Sequence, residues 1–290
     1  VLYDEESYWG YSVMSVRRIL YGLRADHFRH PIDLEATRSL QQLPGLGFLI
    51  QNLIGSTAEQ VLFLDNIASS IQVNEKQLPD LHNLLVEACR ILDLEVPQLY
   101  IRQNPSPNAY TFAMRGKKPF IVVHSSLLDL LEPEEIQAVL AHELGHLKCN
   151  HGLYLTMANL LMLSASLLPF GGLLYQTLQD QLLQWVQCAE FSCDRAALLV
   201  TQKSEIVASV LMKLCGGSPK LASRLNLEAF LDQARTYTEL DQDEWQQQLK
   251  QMQQGNRTHP VPVLRAREID RWFRSNTYQQ ILKFSDPSHK

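Results

Sequence analysis

At 290 residues, 46% of them hydrophobic, the chain can bury one large core or two smaller lobes. Its 26 basic and 31 acidic residues leave a net charge of −5 with signs mixed, which offers no basic field for nucleic acid. The five cysteines form no Cys-x-x-Cys pair and are odd in number, so they read as reduced thiols rather than a disulfide framework.

The first thirty residues are aromatic and basic, with Arg17, Arg18, Arg24 and Arg29 among Tyr3, Tyr8, Trp9 and Tyr21. They read as an arm or helix packed on the body or on a membrane surface. Asp33 is placed to cap a helix running towards Leu43, where Pro44-Gly45 breaks it. Short helices are expected from there to about Ser70, and residues 1–75 are read as a helical extension ahead of a domain at 76–290. Leu78 to Leu92 is strongly amphipathic. Strand-like runs follow at Gln98–Gln103, Asn108–Met114 and Pro119–His124, with a turn at Gly116-Lys117. The expected fold class is therefore α+β and mainly helical, with a small sheet.

Pro133, Glu134 and Glu135 open the next helix, with proline tolerated in the first turn and acids favoured there. Within it stands His142-Glu143-Leu144-Gly145-His146. Residues four apart share a helix face, so both imidazoles can hold one metal while Glu143 reaches a water beside it. His151, five residues beyond His146, would lie about 140° further round a continuous helix and is left out of the ligand set. The run from Cys149 to Gln179 carries no Asp, Glu, Lys or Arg, but Pro169-Phe170-Gly171-Gly172 interrupts it. A helix over Leu153–Leu168 would reach only about 24 Å against a hydrocarbon core of about 30 Å. The expectation is a helical hairpin over about 153–187, either dipping into one leaflet or lipid monolayer or buried as soluble core; a true span is disfavoured.

Glu190-Phe191-Ser192-Cys193-Asp194 repeats the spacing of four with acids. A hydrolytic zinc wants three protein ligands and an open position, and Glu190 supplies the third. Asp194, one turn on, can accept the outer N–H of a ligand histidine. Asn226–Leu240 reads as an amphipathic helix and Asp241–Asn256 as a glutamine-rich loop or helix, a hinge, lid or linker. It leads into Thr258-His259-Pro260, and Val263–Arg274 closes the body as a helix.

Taken together, HELGH, EFSCD, Thr258-His259-Pro260 and Arg265 resemble, in order, the motifs of the HtpX and CAAX-prenyl-endopeptidase family of gluzincin zinc metallopeptidases. The likeness runs from about Leu78 to Trp272. Pro107-Asn108-Ala109-Tyr110 matches the family's Asn-Ala-aromatic strand ahead of the zinc helix, although Thr111-Phe112-Ala113-Met114 departs from the small residue and glycine that usually follow. The branch it is most similar to is plastid and cyanobacterial and includes plastoglobule-associated members. The resemblance implies a plastid location, or a cytoplasmic or membrane-associated one in a cyanobacterium-like cell. The chain begins at Val1, which fits either a removed transit peptide or a trimmed chain.

The expected reaction is hydrolysis of an internal peptide bond with one zinc ion per chain on His142, His146 and Glu190. Glu143 would take the proton of the activated water and pass it to the leaving amine. His259 would donate to the oxyanion, or cover the open metal position and hold the enzyme latent. Arg265 would fix the loop or pair with the Glu190 and Asp194 acids. The partner is a protein or peptide, held extended along the strand edge at Asn108, Ala109 and Tyr110; a lipid surface is a second expected partner, and no oligomeric state is assigned. The competing reading is a zinc-stabilised, latent or chaperone-like binding module. A prenyl-protein maturation enzyme fits less well, because that branch carries several spanning helices.

Overall fold

The computed structural model describes residues 17–42, 57–113, 118–155, 172–239 and 259–284. The Gly116-Lys117 turn, the hairpin tip at Pro169-Phe170-Gly171, the glutamine-rich segment and Thr258 lie outside these residues.

From Arg17 onwards the basic arm lies against the body; residues 1–16, with Tyr3, Tyr8 and Trp9, lie outside the described residues. Arg17 bonds Gln137 and Glu134, Leu20 donates its N–H to the Ile91 carbonyl, and Leu20, Leu23 and Phe28 enter the main core. Helix α1 (Pro31–Gln41) starts on a proline after His30, and Asp33 makes no cap. This corrects the expectation for Asp33: its carboxylate is fully buried and accepts hydrogen bonds from Arg29, Trp185 and Ser192. Those donors are worth more to a buried charge than an exposed backbone N–H.

Helix α2 (Thr57–Ser69) precedes strand β1 (Ile71–Val73), and helix α3 (Pro79–Leu92) buries Leu81, Leu85, Ala88 and Leu92 at helical spacing. Strands β2 (Gln98–Arg102), β3 (Ala109–Phe112) and β4 (Phe120–His124) fall where alternating and β-branched residues predict them. The sheet order is β1-β2-β4-β3, with β2 and β4 parallel and both outer pairs antiparallel. Strand β4 is buried throughout, while β3 forms a sheet edge beside the next long helix.

Helix α4 (Ser125–Leu130) leads into α5 (Pro133–Lys148), whose start is a capping box between Glu132 and Glu135. Glu135 also binds Lys213 and Ser209 of α7 (Ser204–Gly216), which seats the N-terminal end of α5. Helix α6 is one continuous element over Gly172–Thr201, and it packs along α5. Gly145 allows their close approach: a Cβ there would stand 2.9 Å from the Cys193 Cα and 3.0 Å from the Ala196 Cβ. Helices α8 (Leu227–Glu239), α9 (Pro262–Phe273) and α10 (Asn276–Phe284) complete the body. The fold class is α+β and mainly helical. Among the described residues no helix is long and apolar enough to cross a membrane.

Candidate metal centre

Two helices, each carrying its polar residues four apart, meet at the site. Helix α5 presents His142 and His146, and α6 presents Glu190 and Asp194. The Nε2 atoms of His142 and His146 lie 3.3 and 3.4 Å from the two oxygens of Glu190. Glu190 is buried, and its Oε2 finds no hydrogen-bond partner among the described residues. An orphaned buried carboxylate oxygen is costly unless a cation answers it.

The donor set fits zinc. Tetrahedral bonds of about 2.0–2.2 Å place neighbouring ligand atoms roughly 3.3–3.6 Å apart. The observed spacings match that edge length. Among the described residues lining the cavity, the carboxylates Glu143, Glu190 and Asp194 outnumber the one guanidinium, Arg265, a balance that suits a cation.

Asp194 stands beside His142. Its Oδ1 lies 3.1 Å from the Nδ1 of His142, leaving Nε2 aimed at Glu190. Arg265 clamps Asp194 through Nε at 2.8 Å and Nη2 at 2.7 Å, and stands 3.6 Å from Glu190. Burial opposes charge on His142, yet Asp194 and Glu190 outweigh it and push its pKa up to about 10. Burial likewise opposes ionisation of Glu190, but His142, His146 and Arg265 hold its carboxyl well below the usual range. Of the two carboxylates that favour a cation here, Glu190 faces the Nε2 atoms and Asp194 the outer Nδ1 of His142.

Cys193 also has its sulfur near His142 and His146. Burial, with Cys149 and the Glu190 and Glu143 carboxylates nearby, pushes its thiol well above the ordinary value, and it faces the Nδ1 of His151 at 3.5 Å. In the metal-free chain that thiol stays protonated, while Glu190 offers an ionised carboxylate to the two histidines. Cys149 is equally buried, and burial pushes its thiol up to about 12.

Glu143 is buried at the same cavity, and here the sequence reading missed a residue. The Thr111 hydroxyl sits 2.7 Å from the Glu143 carboxylate and 3.1 Å from its backbone oxygen. The available signal was strand periodicity, because Thr111 shares the face of Ala109 across β3. The same alternation turns Tyr110 away: it packs with Tyr100, Phe120 and Val122 and against His124. Asn108 and Ala109 do line the cavity, about 250 Å³ in volume, whose far wall is apolar: Leu127, Val139, Val207 and Leu211. His259 is exposed and its Nε2 stands 3.6 Å from Glu190.

His151 stays out of the ligand set, though not for the reason its spacing gives. Helix α5 ends at Lys148, and Asn150 takes a positive φ of 52°, which swings His151 back to place its Nδ1 3.1 Å from that of His146.

The sequence profile of peptidase family M48 matches residues 75–273, more than half of the chain. This chain belongs to peptidase family M48. The M48 chain is 54% identical over 262 residues to the plastoglobule-localized metallopeptidase 48, chloroplastic, of Arabidopsis thaliana, covering 90% of the chain and 76% of that protein. It is 31% identical over 170 residues to the protease HtpX homolog 2 of Methanosarcina mazei, half of this chain and 58% of that one. Among solved structures, S. mikatae Ste24p aligns with a TM-score of 0.44 at 16% identity, covering 83% of this chain and 62% of that chain. The chain is a metallopeptidase, and its substrates are proteins or peptides.

Proposed function

We propose that this metallopeptidase is a zinc-dependent endopeptidase, with one zinc ion held by His142, His146 and Glu190. The observation that carries the reading is the convergence of two imidazole Nε2 atoms on one buried carboxylate at 3.3 and 3.4 Å. When bound, zinc supplies Lewis acidity, polarising a carbonyl and making water acidic near neutral pH.

The chain's own residues do the rest. Glu143 takes the proton of the attacking water on its carboxylate and hands it to the leaving amine. Thr111 holds that carboxylate to the strand edge and fixes its aim. A peptide lies antiparallel or parallel along the outer edge of β3, paired through the main chain of Ala109, while Asn108, whose carbonyl accepts the His124 N–H, borders the cavity and Tyr110 pairs with Val122 of β4. His259 donates to the developing oxyanion. Asp194 and Arg265 hold the tautomer of His142 and balance the buried acids.

Residues 76–290 form the peptidase domain in this reading and residues 1–75 its N-terminal extension. The chloroplast plastoglobule name of the Arabidopsis relative supports a plastid location and a role in organellar protein turnover. The segment about 153–187 is then the one to meet a lipid monolayer; full retention in the unbound fraction with plastoglobule-lipid droplets would remove that contact. The second reading, a latent or chaperone-like binding module, draws on His259, 3.6 Å from Glu190. Zinc content and casein cleavage separate the two. The peptidase predicts zinc in wild type and in Glu143→Gln, with cleavage by wild type alone. Zinc in both with cleavage by neither favours the binding module.

A further inference from the structure

We infer that Asp33 and His151 position the metal ligand His146, so that helix α1, in the N-terminal extension, sets the tautomer of the metal centre. The inference rests on the zinc reading above.

Two buried groups, His151 and Asp33, stand in line behind the half-buried His146. His146 Nδ1 lies 3.1 Å from His151 Nδ1, and His151 Nε2 lies 3.1 Å from Asp33 Oδ2. Proton placement along this line follows from its far end. An ionised Asp33 can only accept, so the His151 proton sits on Nε2 and is donated to it. His151 Nδ1 is then an acceptor, and the proton of His146 must sit on Nδ1, facing it. That leaves the lone pair of His146 on Nε2, directed at Glu190 and the metal position. His142 obtains the same arrangement directly from Asp194. The two ligands are thus matched, one by a carboxylate one helical turn from Glu190, the other by a carboxylate at the start of α1 acting through an imidazole.

The alternative use of these groups is a second metal site, since Asp33, Cys149 and His151 bring donor atoms within 4.8 Å of one another. Arg29 argues against it. Its guanidinium donates to both Asp33 oxygens and to the Cys149 carbonyl, and so brings a positive charge into that cluster. The Asp33 oxygens also accept from Trp185 Nε1 at 2.9 Å and Ser192 Oγ at 2.6 Å. The carboxylate is therefore held in place by α6 as well as by its own helix. Asp33 lies outside residues 75–273, so in this inference the family domain draws on helix α1 of the N-terminal extension for its metal centre.

The test uses the intact chain with zinc and with cobalt. Zinc affinity is read by competition with a chromophoric chelator, and ligand geometry by the visible bands of the cobalt form. His151→Phe removes the acceptor but keeps a ring against Trp185, whose centroid is 6.1 Å away. His151→Gln keeps an amide oxygen for His146 and an N–H for Asp33. Loss of the acceptor should weaken zinc by about 10–100-fold and shift the cobalt bands, with the glutamine variant restoring affinity to within about threefold of wild type. Wild-type affinity in His151→Phe would overturn the inference, as would a glutamine variant as weak as the phenylalanine one. A wild type that takes up no zinc would instead overturn the metal reading, and this inference with it.

Discussion

Gly145→Ala tests the packing that brings the two ligand helices together. The added Cβ would stand 2.9 Å from the Cys193 Cα, where ordinary contact begins at 3.4 Å, so α5 and α6 must part by about 0.5 Å. The atom met is backbone, so no side-chain rotation relieves it. Overpacking of this kind costs about 1–3 kcal/mol, against about 1 kcal/mol gained by alanine's helix propensity. The net loss of about 0–2 kcal/mol lowers the melting temperature by only a few degrees in a chain of this size. Zinc is the more sensitive reporter. Ligand distances tolerate only about 0.2 Å, and the parting separates Glu190 on one helix from His142 and His146 on the other. Zinc affinity should fall by about tenfold or more while the metal-stripped protein melts within a few degrees of wild type. Unchanged zinc affinity together with a raised melting temperature would refute the argument, because propensity alone would then be acting.

Glu143→Gln should lower casein turnover by about 10²–10⁴-fold with zinc content and thermal melt unchanged. Thr111→Val should reduce kcat roughly tenfold with little change in KM, measured on a fluorogenic peptide, since it frees the Glu143 carboxylate without touching the strand's main chain. Arg265→Ala leaves Asp194 and Glu190 buried without their guanidinium and should cost about 3–5 kcal/mol in urea unfolding of the metal-stripped protein. Burial opposes the charge of Asp33, but the hydrogen bond from His151, with Arg29 and Ser192, holds its carboxyl well below 3.8. A depressed carboxylate stabilises the fold above its unfolded pKa and loses that contribution as pH falls below it. Melts taken from pH 7 downwards should therefore drop below about pH 4, and Asp33→Asn should show a shallower drop from a lower plateau.

That His142, His146 and Glu190 face one another was legible in the sequence because helical periodicity turns a spacing of four into a shared face, whatever surrounds it. The same rule set the pairing of Asp194 with a ligand histidine and the burial of α3, and strand alternation located β2, β3 and β4. Local rules fail where the chain leaves regular geometry or where partners come from far along it. Asn150 breaks the helix and returns His151 to His146, which no helical wheel extended past Lys148 can foresee. Asp33 looks like a cap beside its own helix, yet its partners His151, Trp185 and Ser192 lie more than a hundred residues away, and only the packing of α1 on α6 brings them together. Thr111 lacked a role until α5 came to rest beside β3. Which residues can bind a metal was thus set by local spacing; what orients and balances them was decided by tertiary packing, because a buried charge is satisfied by whatever donors the fold delivers to it.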